Sequence, residues 1–194
     1  MKKILLGIIG TVLLCAPRVA TAQDRVRLEI LPGASFATEN LAGADLGTGG
    51  GAEVNVSYRF LPHLAGFAGW DWHRFAATTS FAGSDVDFEE TGYAFGVRFE
   101  HPIGSAAAPA LMVRVGGTYN HIEIENAAGD ILTESGHGFG WEAGTGLAFR
   151  LGDRWHLTPS VRFRSLKRDL SLGNFQTEGT LRYVAAEVGF ARYF

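Results

Sequence analysis

The stretch Phe139–Arg150, with the sequence FGWEAGTGLAFR, decides the fold of this chain. Large or apolar side chains occupy most alternate positions, and small or charged residues stand between them. The apolar positions are Phe139, Trp141, Ala143, Leu147 and Phe149, and the others are Gly140, Glu142, Gly144, Gly146 and Arg150. Successive side chains of a β-strand point to opposite faces, so this period of two predicts a strand with one apolar and one polar face.

The same alternation recurs in seven other segments of the chain. They lie at about 25–36, 51–60, 64–75, 86–100, 111–120, 155–164 and 183–194. No segment after residue 22 has a sustained apolar repeat with the spacing of a helix. The sequence therefore predicts an all-β chain of eight strands.

The predicted connections between these strands alternate between short and long. The short ones lie at 61–63, 101–109 and 152–154, and the long ones at 37–50, 76–85, 125–137 and 168–180. In an up-and-down meander, alternate connections emerge at the same end of the sheet, which places all long loops at one end and both termini at the other. This is the pattern of transmembrane barrels, which have short periplasmic turns and long extracellular loops.

Alternation alone does not say which face is inside, because a secreted lipocalin also has eight strands around an apolar pocket. The polar face of this chain carries glycines that suit the crowded interior of a narrow barrel, namely Gly92, Gly96, Gly116, Gly140, Gly144 and Gly146. The apolar face carries large aromatic residues, which form girdles at membrane interfaces. We therefore predict an eight-stranded antiparallel up-and-down transmembrane β-barrel with its polar face inward.

Composition agrees with this fold and excludes other classes. The chain has 194 residues with 26 glycines, and glycine weakens helix interiors. The net charge is only −3 and no basic block is present, so a nucleic-acid-binding role is not expected. The length of the chain corresponds to one domain of ordinary size.

The first 22 residues have the features of a secretory signal peptide. Lys2 and Lys3 precede an apolar run over 4–14, and an Ala-Thr-Ala cleavage site ends at Ala22. We expect cleavage of residues 1–22 to leave residues 23–194 as a single barrel domain. The only cysteine, Cys15, lies in the removed segment, so the mature chain has no disulfide.

The signal peptide, the eight alternating strands, the glycine-rich strand 138–150 and the terminal Phe194 resemble the small outer-membrane barrels of the OmpA/OmpX type. The resemblance covers essentially all of 24–194. Its most specific segments are Gly144–Arg150, which is followed by a short turn, and the closing segment Glu187–Phe194. The closing segment is similar to the signal read by the barrel-assembly machinery, although Arg192 stands where an apolar residue is usual. The resemblance implies a monomer in the bacterial outer membrane, in contact with lipid and lipopolysaccharide. It assigns the assembly signal to Gly189, Phe190, Tyr193 and Phe194.

Charged residues on the predicted inward face are balanced in number. They are Arg27, Glu29, Glu53, Arg59, Asp71, Glu90, Arg98, Glu100, Arg114, Glu142, Arg150, Arg162, Arg164 and Glu187. An unpaired charge in a narrow lumen is unfavourable, so equal numbers of arginines and acids predict a paired network that fills the barrel. A gated polar pathway through the lumen is the alternative.

Other polar constellations do not predict a catalytic, cofactor or metal site. Glu134, Ser135 and His137 share one predicted loop, but a hydroxyl, a base and a carboxylate are often neighbours by chance. His121, Glu123 and Glu125 alternate on one strand side and are interpreted as a solvated strand end.

Two further polar or glycine-rich features have structural interpretations. Asp71 and His73 share a strand face, which suggests an internal hydrogen bond rather than a proton relay. Gly47–Gly51 is interpreted as a flexible hairpin loop, since it lacks the strand–loop–helix context of a nucleotide site.

The sequence favours a non-enzymatic outer-membrane protein with an envelope-structural or surface-interaction role. Its long loops are the expected contact region for an extracellular ligand. A small-solute channel or a lipid-modifying barrel enzyme is the alternative. No cofactor is expected.

Overall fold

The computed structural model describes residues 25–104, 108–172 and 175–194. They form nine strands: β1 (Val26–Ala37), β2 (Thr48–Leu61), β3 (Leu64–Ser80), β4 (Gly83–Pro102), β5 (Ala110–Glu125), β6 (Ile131–Glu134), β7 (Gly138–Arg150), β8 (Trp155–Leu172) and β9 (Phe175–Tyr193). These residues include no helix with the length and hydropathy needed to cross a membrane. The predicted signal peptide, residues 1–22, lies outside the described residues and stays a prediction.

The strands form one closed antiparallel ring. Each long strand pairs with its neighbours in the order β4-β3-β2-β1-β9-β8-β7-β5, and β4 pairs with β5 to complete the circle. The first and last strands are joined from Arg27 opposite Tyr193 to Ala37 opposite Tyr183. The short β6 pairs with the end of β5 beyond β7 and adds no position to the ring. The prediction of an eight-stranded antiparallel up-and-down barrel is therefore confirmed.

Two predicted long loops are wrong, because the strands continue through them. Only Phe81 and Ala82 separate β3 from β4, so most of 76–85 is strand. The register of β8 and β9 likewise continues to Leu172 opposite Phe175, so most of 168–180 is also strand. At the end of the barrel away from the chain termini, which is the predicted extracellular end, the barrel therefore extends as paired hairpins.

The polarity of the two faces reverses in these extensions. On β3, Phe75 and Ala77 are buried inside the ring, whereas Arg74 points outward. On β8, Leu166 and Leu170 are buried inside, whereas Lys167 is exposed outside. Beyond the membrane the outer face meets water and the inner faces pack on one another, so the apolar residues change sides. The apolar and polar faces therefore exchange places in these segments, which is why the alternation predicted strands that end before them.

The glycine run after the first connection is also part of the barrel wall. Gly49, Gly50 and Gly51 belong to β2, so the loop prediction for Gly47–Gly51 is wrong there. A Cβ atom on Gly51 would lie 2.3 Å from the His73 ring, and one on Gly49 would lie 2.7 Å from the Phe75 ring. These glycines are needed because aromatic side chains of β3 lie directly against the backbone of β2.

Candidate functional site

The middle of the lumen is filled by a central layer of buried ion pairs. Arg164 donates a bidentate pair of hydrogen bonds to Asp71, at 2.7 and 3.0 Å, and single bonds to Glu90 and Glu142 at 2.9 and 2.6 Å. All four side chains are completely buried. The arginine on β8 thus binds β3 and β4 across the lumen as well as its ring neighbour β7.

Two more arginines complete the central layer. Arg114 donates two hydrogen bonds to Glu53, at 3.0 and 3.2 Å, and one to Glu142. Arg162 forms salt bridges with Glu53, Glu142 and Glu187. The layer therefore connects seven of the eight ring strands through side chains alone, and it crosses the whole section of the lumen.

A lower layer of ion pairs lies nearer the end that holds the chain termini, which is the predicted periplasmic end. Arg27 pairs with Glu29 and with Glu100, the latter at 3.1 Å, and Arg98 pairs with Glu29 at 3.4 Å. The hydroxyl of Tyr193 donates to Glu100 at 3.0 Å. Burial of Arg27, Glu29 and Arg98 makes this a second polar plug beneath the first.

Arg150 lies outside both layers, which corrects its assignment to the buried network. Arg150 is exposed at the end of β7, and the Arg59 guanidinium lies 5.6 Å from the centre of the Tyr193 ring. Both line a cavity of about 390 Å³ at the periplasmic mouth, together with Arg25 and His63. The strand alternation continues to the strand ends, but the lumen opens to water there and no longer buries the inward charges.

An apolar layer closes the extracellular half of the lumen, and the sequence analysis did not predict it. Its fully buried members come from five ring strands and include Phe75, Phe88, Ile122, Ile124, Leu166, Leu170, Leu181 and Tyr183. The signal was present in the sequence. Phe75 and Phe88 share strand parity with Asp71 and Glu90, so they were on the inward face from the start.

The first connection seals this apolar layer from above. Residues 38–47 fold back into the ring, where Leu41 and Ala44 are completely buried and joined by a backbone bridge. Leu46 forms a second bridge to Ala77 of β3. The predicted loop at 37–50 is therefore a plug over much of its length rather than a free surface loop.

The residues considered for catalysis do not assemble a serine–histidine pair in the described part of the chain. The Ser135 hydroxyl accepts a hydrogen bond from the Ile122 amide and donates to the Gly136 carbonyl, so it fastens the 135–137 link to β5. The His137 ring instead faces His121, with 3.2 Å between nitrogens. Catalysis by this trio has no geometric support.

The buried His73 has the internal partner that its position suggested, but it is not Asp71. Its Nδ1 atom lies 2.9 Å from the Ser35 hydroxyl. Asp71 binds Arg164 and accepts a hydrogen bond from Asn120. The two strand neighbours therefore take part in separate interactions.

Charged side chains continue on the outer face of the hairpins, above the aromatic residues. Arg74 pairs with Asp87, and this hydrogen bond raises the pKa of the arginine. Desolvation, together with the neighbouring Glu89 carboxylate, raises the pKa of Glu125. The outer surface changes here from an apolar band to a polar wall.

The residues assigned to the assembly signal lie on the closing strand β9, except Phe194, which directly follows it. Phe190 is exposed on the outer face, and Tyr193 is buried inside. A Cβ atom on Gly189 would lie 2.8 Å from Glu29, so this glycine leaves space for the lower layer. The Phe194 amide donates to the Val26 carbonyl at 2.8 Å, which joins the two ends of the chain.

A family match identifies the class of protein to which this barrel belongs. The domain described as "Outer membrane protein beta-barrel domain" matches residues 6–194. The chain belongs to this outer-membrane β-barrel family. The resemblance to small outer-membrane barrels and the location in the bacterial outer membrane are thereby confirmed.

Solved structures share the fold of this outer-membrane barrel at low sequence identity. Neisserial surface protein A is 13% identical with a TM-score of 0.60, over 87% of this chain and 96% of its own. OprG of Pseudomonas aeruginosa is 12% identical with a TM-score of 0.59, over 89% and 97%. The outer membrane protein AlkL is 13% identical with a TM-score of 0.50, over 92% and 94%. Comparison with curated proteins finds none that matches this sequence.

Proposed function

We propose that this protein is a closed, non-enzymatic outer-membrane barrel with an envelope-structural or surface-interaction role. The observation that carries the proposal is the double closure of the lumen. Ion-pair layers cross the barrel from Arg27 to Arg164, and an apolar layer with an inserted plug lies above them. A lumen filled in this way supplies no continuous water path for a solute.

The extended hairpins are the part of the barrel that would act at the cell surface. Salt bridges connect outward side chains of the hairpins, Arg74 with Asp87 and Lys167 with Glu178, and a third joins Arg182 of β9 to Glu39 of the first connection. Continuous strand pairing holds the backbone of the hairpins in place, so these outward side chains are carried by ordered strands rather than by flexible loops. An extracellular ligand would therefore meet a preformed surface at low entropic cost.

The wall of the barrel suits contact with lipid by a single chain. Its outer face exposes large apolar and aromatic residues, including Val56, Trp70, Tyr93, Phe95, Val115, Trp141, Val161 and Phe190. Because the ring of strands is closed, no sheet edge needs a second copy, which supports a monomer. We infer that this face contacts outer-membrane lipid and lipopolysaccharide. We further infer that the closing strand engages the barrel-assembly machinery during biogenesis.

Conductance in planar bilayers tests the closed lumen. The refolded protein is expected to give no steady current, in contrast to a 16-stranded porin measured in the same bilayers. Leu41→Asp, which disrupts the apolar plug, is also expected to give none, because both ion-pair layers remain below it. A steady current through the wild-type protein would overturn the proposal and establish the channel.

A small-solute channel is the second candidate, since a cavity of about 390 Å³ opens at the periplasmic mouth. The conductance measurement distinguishes it from the closed barrel.

A lipid-hydrolysis assay on the same preparation tests the remaining alternative, a lipid-modifying enzyme. Release of fatty acid from phospholipid or lipopolysaccharide by the wild-type barrel would establish an enzyme, and its absence is the expected result.

A further inference from the structure

Two histidines and two glutamates meet on the outer wall of the barrel, above the aromatic residues. We call His121, Glu123, Glu134 and His137 the His–Glu patch. Alternation along β5 points His121 and Glu123 outward, while Ile122 and Ile124 between and beyond them are buried inside. Pairing of β5 with β6 places Glu134 directly opposite Glu123, so their side chains lie on the same face.

The distances within the patch fit one metal ion. One ligand atom from each of His121, Glu123 and Glu134 can be chosen so that all three lie within 4.8 Å of one another. The His121 Nε2 atom is 2.8 Å from the Glu123 Oε1 atom. Zinc ligands at about 2.0–2.2 Å stand roughly 3.3–3.6 Å apart in a tetrahedron, so small side-chain rotations bring these atoms to binding distance.

The second histidine is placed to orient the first. The Nδ1 atom of His121 lies 3.2 Å from Nε2 of His137, on the side of the ring away from Glu123. A metal-bound histidine usually donates its other ring N–H to a neighbour, which fixes the tautomer and ring direction. His137 is itself held by the Ser135 hydrogen bonds to β5 and by packing against Tyr119, with 5.2 Å between ring centres.

The strand register supplies an independent reason for a cation at this place. Glu89 of β4 stands opposite Glu123, and Glu123 stands opposite Glu134, so three carboxylates lie side by side across three strands. Like charges directly opposite one another destabilise a sheet. Arg74 approaches only the Glu89 end of this row, with a nitrogen–oxygen distance of 3.6 Å. A divalent cation between Glu123 and Glu134 would neutralise the other end.

We propose that His121, Glu123 and Glu134 bind a divalent transition-metal ion, with Zn²⁺ as the best fit, and that His137 is a positioning residue for His121. Mixed imidazole and carboxylate ligands select zinc and its neighbours over calcium and magnesium, which favour oxygen alone. Three protein ligands leave a fourth position open to water or to an external group. The site is separate from the lumen and does not depend on the proposed surface role.

Calorimetric titration of the untagged, refolded barrel with Zn²⁺ tests the site. The wild-type protein is expected to bind one ion per chain, and His121→Ala and Glu134→Gln are expected to lose this binding. Glu178→Gln, which removes an exposed carboxylate on β9, is the matched control and is expected to bind normally. These positions point away from the core, and the different gel mobility of unboiled samples verifies that each variant is folded.

Two further results distinguish a built site from a group of acidic residues. Glu125→Gln is expected to leave Zn²⁺ binding unchanged, and Ca²⁺ is expected not to compete. Loss of binding in Glu125→Gln, equal affinity for Ca²⁺, or undiminished binding by His121→Ala would each overturn the proposal.

The role of His137 has its own readout. His137→Ala is expected to weaken binding roughly 10–100-fold without changing the stoichiometry. His137→Gln, which keeps an acceptor for the His121 N–H, is expected to recover much of the affinity. In the Co²⁺-loaded protein the visible absorption bands should persist in His137→Gln and disappear in His121→Ala. Equal behaviour of His137→Ala and the wild type would remove the positioning role.

Discussion

The hydroxyl of Tyr183 donates a hydrogen bond to the Glu90 carboxylate at 2.5 Å, from β9 across the lumen to β4. The Tyr183 ring packs at the same time against Phe75, with 5.2 Å between ring centres. Tyr183 is therefore the residue at which the central layer of ion pairs meets the apolar layer above it. This side chain takes part in both layers because its ring is apolar and its hydroxyl is polar.

Tyr183→Phe tests the polar half of this contact. The ring and its packing remain, but Glu90 loses one of its donors in a fully buried position. A hydrogen bond to a charged group contributes about 1.5–3 kcal/mol, so the free energy of unfolding is expected to fall by that amount. Urea titration of the protein in lipid vesicles measures the change. Tyr93→Phe, on the exposed outer face, is the control and should change little.

Arg164→Met tests the central layer. This layer holds five carboxyl groups and three arginines, so removal of Arg164 leaves Asp71, Glu90 and Glu142 with fewer counter-charges. Breaking a buried ion pair typically costs about 3–5 kcal/mol. The urea midpoint should fall accordingly, or the protein should fail to refold.

Arg182→Met is the matched control for Arg164→Met, because Arg182 pairs with Glu39 at the exposed surface. An exposed pair contributes about 0–1 kcal/mol. Equal and small effects of the two substitutions would mean that water enters the lumen and screens its charges, which contradicts a filled barrel.

Two adjacent glycines of β2 test the close packing of the wall. Gly51→Ala would place a Cβ atom 2.3 Å from His73 and 2.4 Å from the Trp72 carbonyl. Gly50→Ala meets its nearest neighbour only at 4.0 Å. Overpacking costs about 1–3 kcal/mol, so only the alanine at position 51 should lower stability and refolding yield. Gel mobility of unboiled samples reports the folded fraction, and equal yields would show that β3 moves away freely.

Deletion of Phe194 separates assembly from stability. The deletion removes two backbone hydrogen bonds to Val26 and a partly buried ring, a loss of about 1–3 kcal/mol that spontaneous refolding in detergent should tolerate. The amount of assembled barrel in cells should fall much further if the closing segment is read by the assembly machinery. Equal losses in cells and in detergent would reduce Phe194 to a packing residue.

The membrane-spanning strands could be predicted from the sequence because their signal is local. In 139–150 a period of two and the glycines on one face are sufficient to define a strand and its inward side. The extracellular ends of β3, β4, β8 and β9 could not be read in the same way. Their polar residues face water, and their apolar residues, such as Phe88, face inward, so the pattern is reversed at constant strand parity.

The candidate metal site shows a different limit. The alternation of His121 and Glu123 was visible in the sequence, but two residues on a strand end carry little information by themselves. Glu134 and His137 join them only because β6 folds back on β5 and Ser135 fastens the link. Neither contact has a signature in the residues between them.

The sequence by itself determined the fold class, the number of ring strands and the face on which the side chains of the membrane-spanning strands lie, because strand geometry sets these over a few residues. Tertiary structure alone decided which charges meet. Arg164 and Asp71 are 93 residues apart, and closure of the ring brings them together. Tertiary structure also decided how deep in the lumen each charged residue lies. Arg150 and Arg164 share the inward face, so the face alone does not distinguish them. Only their position along the barrel axis, at the open mouth or in the filled centre, makes one solvated and the other buried.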